Sequence, residues 1–148
     1  WAYYTGGQAR AGGVGLSRYV RAESPQAHDR TFDGVLAVRC WRDLDNPTGP
    51  ALDLTQRDQA ISQLDRALLR GLALIVRSRV LAMDAGCAAT AAADWEFVRI
   101  LGRVLDREAS ARDALFAQAL RTELLRTSAA EANVAAITIA LDVLFPCP

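Results

Sequence analysis

The side chains best suited to metal chemistry lie near the start of the chain. They are the three tyrosines, the single histidine and two aspartates, namely Tyr3, Tyr4, Tyr19, His28, Asp29 and Asp33. Phenolate, imidazole and carboxylate groups are ligands that suit ferric iron. Aromatic packing beside a polar loop is the alternative interpretation. The candidate metal ligands are Tyr3, Tyr4, His28 and Asp29.

A catalytic role has little support in the sequence. His28 is the only histidine, so the chain cannot form an HExxH motif or a two-histidine facial triad. The run Gly12-Gly13-Val14-Gly15 follows no predicted strand and lacks the lysine of a phosphate-binding loop. No cysteine has an obvious neighbouring base. We therefore predict no catalytic residue, no organic cofactor and a protein that is not an enzyme.

The three cysteines have no metal-binding spacing, since none forms a CxxC motif. Cys147 lies between Pro146 and Pro148, which keep this tail out of a helix. We predict a disulfide from Cys147 to Cys40 or Cys87, with three buried reduced thiols as the alternative.

The chain begins at Trp1 rather than at a methionine. We expect a processed mature protein, an excised fragment or a part of something longer. The first two fit a secreted, periplasmic or organelle-lumen location.

Composition and charge exclude several classes of partner. The 17 basic residues, all arginine, balance 17 acidic residues, so the formal net charge is zero. Because charges of both signs are interleaved along the chain, the sequence predicts no basic surface that would bind DNA or RNA. No apolar run approaches the roughly 20 residues of a membrane-spanning helix. An arginine-only basic set suits protein interfaces, which favours other protein subunits as partners.

Periodicity predicts an all-α fold. Residues 1–27 contain many glycines and several aromatic residues, so we expect an irregular segment whose aromatic side chains anchor it to a core. Amphipathic spacing then predicts five helices joined by short loops. They run from about 29 to 44, 55 to 83, 90 to 105, 110 to 124 and 128 to 144. We therefore expect one domain over 1–148, with an antiparallel bundle of about five helices in 28–148.

Caps, faces and ion pairs refine this prediction. The second helix has apolar residues nearly all round its C-terminal half and is the expected central helix. Ser110 and the Ser128–Glu131 capping box are the expected starts of the last two helices. The third helix should bury Trp95, Val98, Leu101 and Leu105, with Phe97 and Val104 beside them. The pairs spaced as helix-surface ion pairs are Glu96 with Arg99 and Glu108 with Arg112.

The order of segments resembles the algal iron-assimilation proteins, which are low-iron-inducible periplasmic proteins related to the phytotransferrins. The similarity lies in Trp1-Ala2-Tyr3-Tyr4-Thr5-Gly6, Leu16-Ser17-Arg18-Tyr19, Leu36-Ala37-Val38-Arg39-Cys40, the long helix from Leu68 to Met83 and the late Cys147. It implies iron handling at the cell surface, with ferric iron held by tyrosine, aspartate and histidine. It also implies that the chain is one lobe of a two-lobed protein, or a helical scaffold that has lost its metal.

Three functions of different classes follow from these patterns. The first is a non-enzymatic structural or assembly domain, an accessory subunit of a secreted or lumenal complex. The second is a periplasmic or cell-surface iron-binding domain. The third is a helical enzyme or a pigment-binding protein, for which His28 is the only imidazole ligand.

Overall fold

Every regular element that the structure describes is helical. The structure is a computed structural model, and it describes residues 2–6, 14–44, 54–85 and 88–146. The α-helices are α1 (Ala2–Thr5), α2 (Leu16–Glu23), α3 (Pro25–Leu44), α4 (Leu54–Ala85), α5 (Ala88–Arg112), α6 (Ala114–Leu124) and α7 (Val134–Leu144). A short 3-10 turn, Ala129–Glu131, precedes α7. The predicted all-α class is therefore confirmed, whereas the antiparallel arrangement of one bundle stays a prediction.

Contacts along the chain form two compact units. The described residues up to Gly71 form the first unit, and those from Leu72 onwards form the second. The boundary falls inside α4, so this helix contributes its first half to one unit and its second half to the other. Among the helices for which residues are described, none is both long and apolar enough to cross a lipid bilayer.

In the first unit, glycines allow helices to approach closely. A Cβ atom added to Gly34 of α3 would lie 2.8 Å from the Cβ atom of Leu64 in α4. One added to Gly71 of α4 would lie 2.6 Å from a methyl carbon of Val20 in α2. The buried Val20 side chain thus packs directly against the backbone of α4 at Gly71.

The predicted irregular segment 1–27 is not confirmed, because its described parts contain two helices. Residues 16–23 form α2 and residues 2–5 form the single turn α1. Ser24 separates α2 from α3 in an extended conformation, and its Oγ accepts a hydrogen bond from the Ala27 N–H at 3.1 Å. Pro25 occupies the first position of α3, where its missing N–H has no helical partner in any case. A serine cap followed by proline therefore starts α3 four residues before the predicted Asp29.

The second unit buries one face of each of its helices. Its largest fully buried side chains include Trp95, Val98, Leu105, Leu120, Ile137, Leu141 and Phe145. The Trp95 Nε1–H donates to the Arg126 carbonyl oxygen at 3.3 Å, so the indole is buried with a polar partner. Three of the four positions predicted to be buried in α5, Trp95, Val98 and Leu105, are thereby confirmed, whereas Leu101 is half-buried.

The predicted break between the third and fourth helices is wrong. Helix α5 continues to Arg112, and Ser110 lies inside it, donating from Oγ to the Asp106 carbonyl oxygen at 3.1 Å. Asp113 caps α6 instead, since its carboxylate accepts from the N–H groups of Leu115 and Phe116 at 2.9 and 3.1 Å. An aspartate in extended conformation is the stronger N-cap here.

The last helix also starts later than predicted. Ser128 makes no side-chain capping bond, and Asn133 caps α7 by accepting from the Ala136 N–H at 3.0 Å. The Glu131 carboxylate bonds instead to Thr127, accepting from its N–H at 3.2 Å and from its hydroxyl at 3.0 Å. Glu131 thus stabilises the segment between α6 and α7 instead of capping α7.

One predicted ion pair is confirmed and the other is wrong. Glu96 and Arg99 are joined at 2.8 Å. Arg112 donates to the Leu144 carbonyl oxygen at 3.0 Å, and its guanidinium lies 4.8 Å from the centre of the Phe145 ring. Arg112 therefore caps a carbonyl group at the C-terminal end of α7 instead of pairing with Glu108.

Cys40 is an exposed free thiol near the end of α3. The predicted disulfide between Cys147 and Cys40 is therefore not formed. Cys87 and Cys147 both lie outside the described residues, so a bond between these two stays a prediction.

Candidate functional site

Two of the predicted metal ligands, Tyr4 and His28, are in direct contact in the first unit. The Tyr4 Oη and the His28 Nδ1 are 3.0 Å apart and share a hydrogen bond. Their rings stack with centres 5.8 Å apart and an interplanar angle of 24°. Tyr4 is 6% exposed and His28 is 2% exposed, so the pair lies in the interior.

The helical spacing of α3 supplies the surroundings of this pair. Phe32 is one turn after His28, and the centres of their rings are 6.2 Å apart. Thr31 is fully buried and donates from Oγ1 to the Ala27 carbonyl oxygen at 2.7 Å. Phe32 therefore lies beside the imidazole, Thr31 interacts with the Tyr4 phenol, and water has little access to the buried pair.

Burial raises the pKa of Tyr4 to about 12. The negative charge of Asp29 acts in the same direction, and a hydrogen bond with Thr31 opposes part of the rise. The Tyr4 phenol is therefore protonated at neutral pH. A metal ion that bound it as phenolate would first have to displace this proton.

The second nitrogen of His28 has no hydrogen-bond partner among the described residues. Nε2 is buried and unpartnered, and so is the Oγ of Ser17 in α2. The 3.0 Å contact forms with either tautomer: Tyr4 donates to a bare Nδ1 while the proton sits on Nε2, or Nδ1–H donates to Tyr4 Oη while Nε2 is bare. In both cases Nε2 is a buried polar atom without a partner among the described residues.

The other candidate side chains that the structure describes lie outside this buried pair. Asp29 and Asp33 are exposed, and Tyr19 is 50% exposed on α2. The side chain of Tyr3 is outside the described part of the structure. Within that part, no three His, Cys, Asp or Glu side chains are grouped closely enough to hold a metal ion. The described site consists of one phenol and one imidazole.

A separate polar groove of about 840 Å³ runs along the first half of α4. The residues that line it are Arg30, Thr55, Asp58, Gln59, Ser62, Gln63, Arg66 and Ala67. Charges of both signs contribute, and the Arg66 Nε–H donates to the backbone oxygen of Ser62 at 3.3 Å. Neither Tyr4 nor His28 lines this groove.

The second unit presents a surface of a different kind on α5. Phe97, Ile100 and Val104 are 36%, 69% and 55% exposed, and we call these three residues the outer face of α5. At about 100° of rotation per residue, Ile100 lies on the side of the helix opposite the buried Val98 and Leu105. Helix α5 is therefore apolar on two opposite faces, and only one of them is buried.

Charged side chains border the outer face of α5. The Arg79 guanidinium lies 5.4 Å from the centre of the Phe97 ring and forms an ion pair with Asp94 at 3.0 Å. Arg103 and Arg107 are exposed, and neither forms an ion pair within the described ranges. The surface thus has an apolar centre and a charged border, which is the usual composition of a protein interface.

The sequence prediction missed this surface. Phe97 and Val104 were expected beside the buried face, whereas the structure exposes both. Isolated exposed apolar residues such as Leu115, which is 75% exposed, are ordinary in soluble proteins. The sequence spacing of Phe97, Ile100 and Val104 could have indicated this surface, because residues three and four apart share one side of a helix.

Comparison with protein-family models, curated proteins and solved structures finds no match for this chain. The resemblance to the algal iron-assimilation proteins therefore stays a prediction from the order of residues.

Proposed function

We propose that this chain is a non-enzymatic helical assembly domain that contacts other protein subunits through the outer face of α5. The complex would be secreted or lumenal, as predicted from the sequence. The observation that carries the proposal is the exposure of three large apolar side chains, Phe97, Ile100 and Val104, opposite the buried face of the same helix.

Burial of the outer face of α5 by a partner would be energetically favourable. Full burial of one large apolar side chain contributes about 1.5–3 kcal/mol. Ile100 and Val104 are more than half exposed, so each retains about half of that gain for a partner. Exposed apolar residues that share one helix face also promote unwanted association, which favours a specific use for them.

The assembly role is tested by the size of the native complex. We expect the natural protein in a native extract to elute from a gel-filtration column well ahead of its 16.0 kDa monomer position. The variant Ile100→Arg should elute as a monomer, because a charge then occupies the centre of the contact. Leu115→Arg is the matched control, since Leu115 is equally exposed but lies on α6. Elution as a monomer from the extract, and also from a purified sample loaded at about 1 mM, would overturn the assembly role.

A second candidate is ferric-iron binding, as the sequence predicted. What supports it is the 3.0 Å contact between a phenol and an imidazole, two groups that bind ferric iron. The raised pKa of Tyr4 works against it, because the bound form requires a phenolate. Iron binding at this pair should therefore become stronger as the pH rises.

Visible absorbance tests the iron-binding candidate. We expect addition of ferric nitrilotriacetate to give a visible phenolate-to-iron band that the variants Tyr4→Phe and His28→Gln abolish. Tyr19→Phe is the control, because Tyr19 is exposed and lies outside the buried pair. A spectrum that does not change, or a band that survives Tyr4→Phe, would remove iron binding from this site.

A further inference from the structure

We infer that the partner on the outer face of α5 is a second copy of this chain, packed antiparallel about a two-fold axis near Ile100. This inference rests on the proposed assembly function and adds the identity of the partner. A two-fold contact uses the same patch on both copies, so the patch must complement itself. The arrangement of apolar and charged residues along α5 meets that requirement.

The apolar residues flank Ile100 at nearly equal spacings along the helix. Phe97 precedes it by three residues and Val104 follows it by four. In an antiparallel pair centred there, Phe97 of one copy lies level with Val104 of the other, and the two Ile100 side chains meet at the axis. Three exposed apolar residues from each copy then cover one another.

The charges on one border of this face are complementary in the same arrangement. Glu96 lies before Ile100, and Arg103 and Arg107 lie after it on the same side of the helix. An antiparallel two-fold pair brings this border against itself in the reversed direction. Glu96 of each copy then meets Arg103 of the other, whereas a parallel pair would place like charges at the same level.

The side chains of this border are available for such contacts. Glu96 is 60% exposed and its Oε1 accepts from Arg99, so its second carboxylate oxygen can take a further donor. The exposed Arg103 has no ion-pair partner in the described ranges. Each copy thus offers one acceptor and one donor that the other copy can satisfy.

The size of the patch sets the expected strength. Stable complexes bury about 800 Å² on each partner, and three partly exposed side chains with their charged border supply less than that. We therefore expect a reversible dimer with a Kd of about 1–100 μM. A contact this weak is formed only where the chain is locally concentrated.

Charge reversal tests the pairing through sedimentation equilibrium of the purified full chain. We expect the natural protein to approach twice 16.0 kDa as its concentration rises, and Leu115→Arg to behave identically. Ile100→Arg should weaken the dimer by more than about tenfold, and Glu96→Arg or Arg103→Glu alone by about fivefold. An equimolar mixture of these last two variants should regain the natural affinity, because opposite charges then meet at both contacts.

The outcomes separate this inference from the assembly function. A purified protein that stays monomeric, while the native extract contains a large species, overturns self-pairing and leaves the assembly function in place. Monomers in both experiments overturn both. Dimers that survive Ile100→Arg, or a mixture of charge variants that does not recover, overturn the antiparallel contact. Circular dichroism of each variant verifies that it is folded.

Discussion

At the scale of single residues, buried polar groups fix how segments of each unit meet. The Tyr4–His28 hydrogen bond ties the turn α1 to helix α3 across 24 positions of sequence. Because both side chains are buried, loss of either would leave the other polar group without its partner. The pair therefore stabilises the packing of α1 against α3.

The raised pKa of Tyr4 makes stability depend on pH in the alkaline range. The folded pKa is about 12 and the ordinary value is 10.0, so the folded state holds the phenolic proton more tightly. The associated stability is complete below about pH 10 and is lost as the pH rises through about 12. We expect urea unfolding to show a fall of up to about 2 kcal/mol over this range.

The control for this effect is Tyr4→Phe, which lacks the ionising group. Its free energy of unfolding should be lower by about 1 kcal/mol at pH 8, since His28 loses a partner. The difference between variant and natural protein should then shrink towards pH 12. Equal alkaline losses in both proteins would show that Tyr4 is not the group responsible.

Glu123 is a second residue whose charge affects stability, and its role was not predicted from the sequence. This buried side chain of α6 accepts from the Asn133 N–H at 2.8 Å and from Arg126 at 3.2 Å. These hydrogen bonds, with that from Asn133 first, lower the pKa of Glu123. The carboxylate thereby connects the end of α6 to the cap of α7.

We expect Glu123→Gln to destabilise the protein by about 1 kcal/mol at pH 7, because charge-assisted hydrogen bonds become neutral ones. A lowered pKa contributes stability that is present above the ordinary glutamate pKa and is lost as the pH falls. Urea unfolding should therefore give a smaller difference at about pH 3 than at pH 7. The same difference at both values would contradict this role, and Glu108→Gln serves as a control outside the network.

At the scale of helices, periodicity identified the elements well, and local hydrogen bonds decided their ends. The long α4 and the end of α7 at Leu144 follow the predicted positions, because apolar stripes and a following proline mark them clearly. The starts of α6 and α7 were misplaced, because Ser110, Asp113, Ser128 and Asn133 are all acceptable caps. Only the three-dimensional path of the chain selects among them.

The close approach of α3 to α4 gives a prediction at this scale. Alanine at position 34 would place its Cβ 2.8 Å from Leu64 Cβ and 2.9 Å from Leu64 Cα, so the helices would have to separate. Alanine at position 102 would meet only the methyl groups of Leu124, which can rotate away. Both changes gain about 1 kcal/mol of helix propensity.

We therefore expect Gly34→Ala to destabilise the protein by about 1–3 kcal/mol and Gly102→Ala to have a much smaller effect. Thermal unfolding followed by circular dichroism measures both. If the two variants lose equal stability, or if Gly34→Ala is the more stable, the close contact between α3 and α4 is not present in solution.

At the scale of the whole molecule, two helical units each bury their own apolar side chains, and helix α5 retains an exposed apolar face. The sequence indicated a helical protein with interface-like composition, but the prediction placed Phe97 and Val104 beside the buried face of α5 and gave Ile100 no role. Periodicity cannot distinguish a face that packs inside the chain from one that packs against another chain. Periodicity also gives no distances between segments, so the sequence could place Tyr4 and His28 in one set of candidate ligands but could not show that they are in contact.

The most direct test of the proposed interface is photo-crosslinking from its centre. We expect p-benzoylphenylalanine in place of Ile100 to give, in native material, an adduct of one defined mass, and twice 16.0 kDa if the partner is a second copy. The same amino acid in place of the exposed Gln118 on α6 should give none. No adduct from position 100, or equal adducts from both positions, would contradict the claim that the outer face of α5 is an interface.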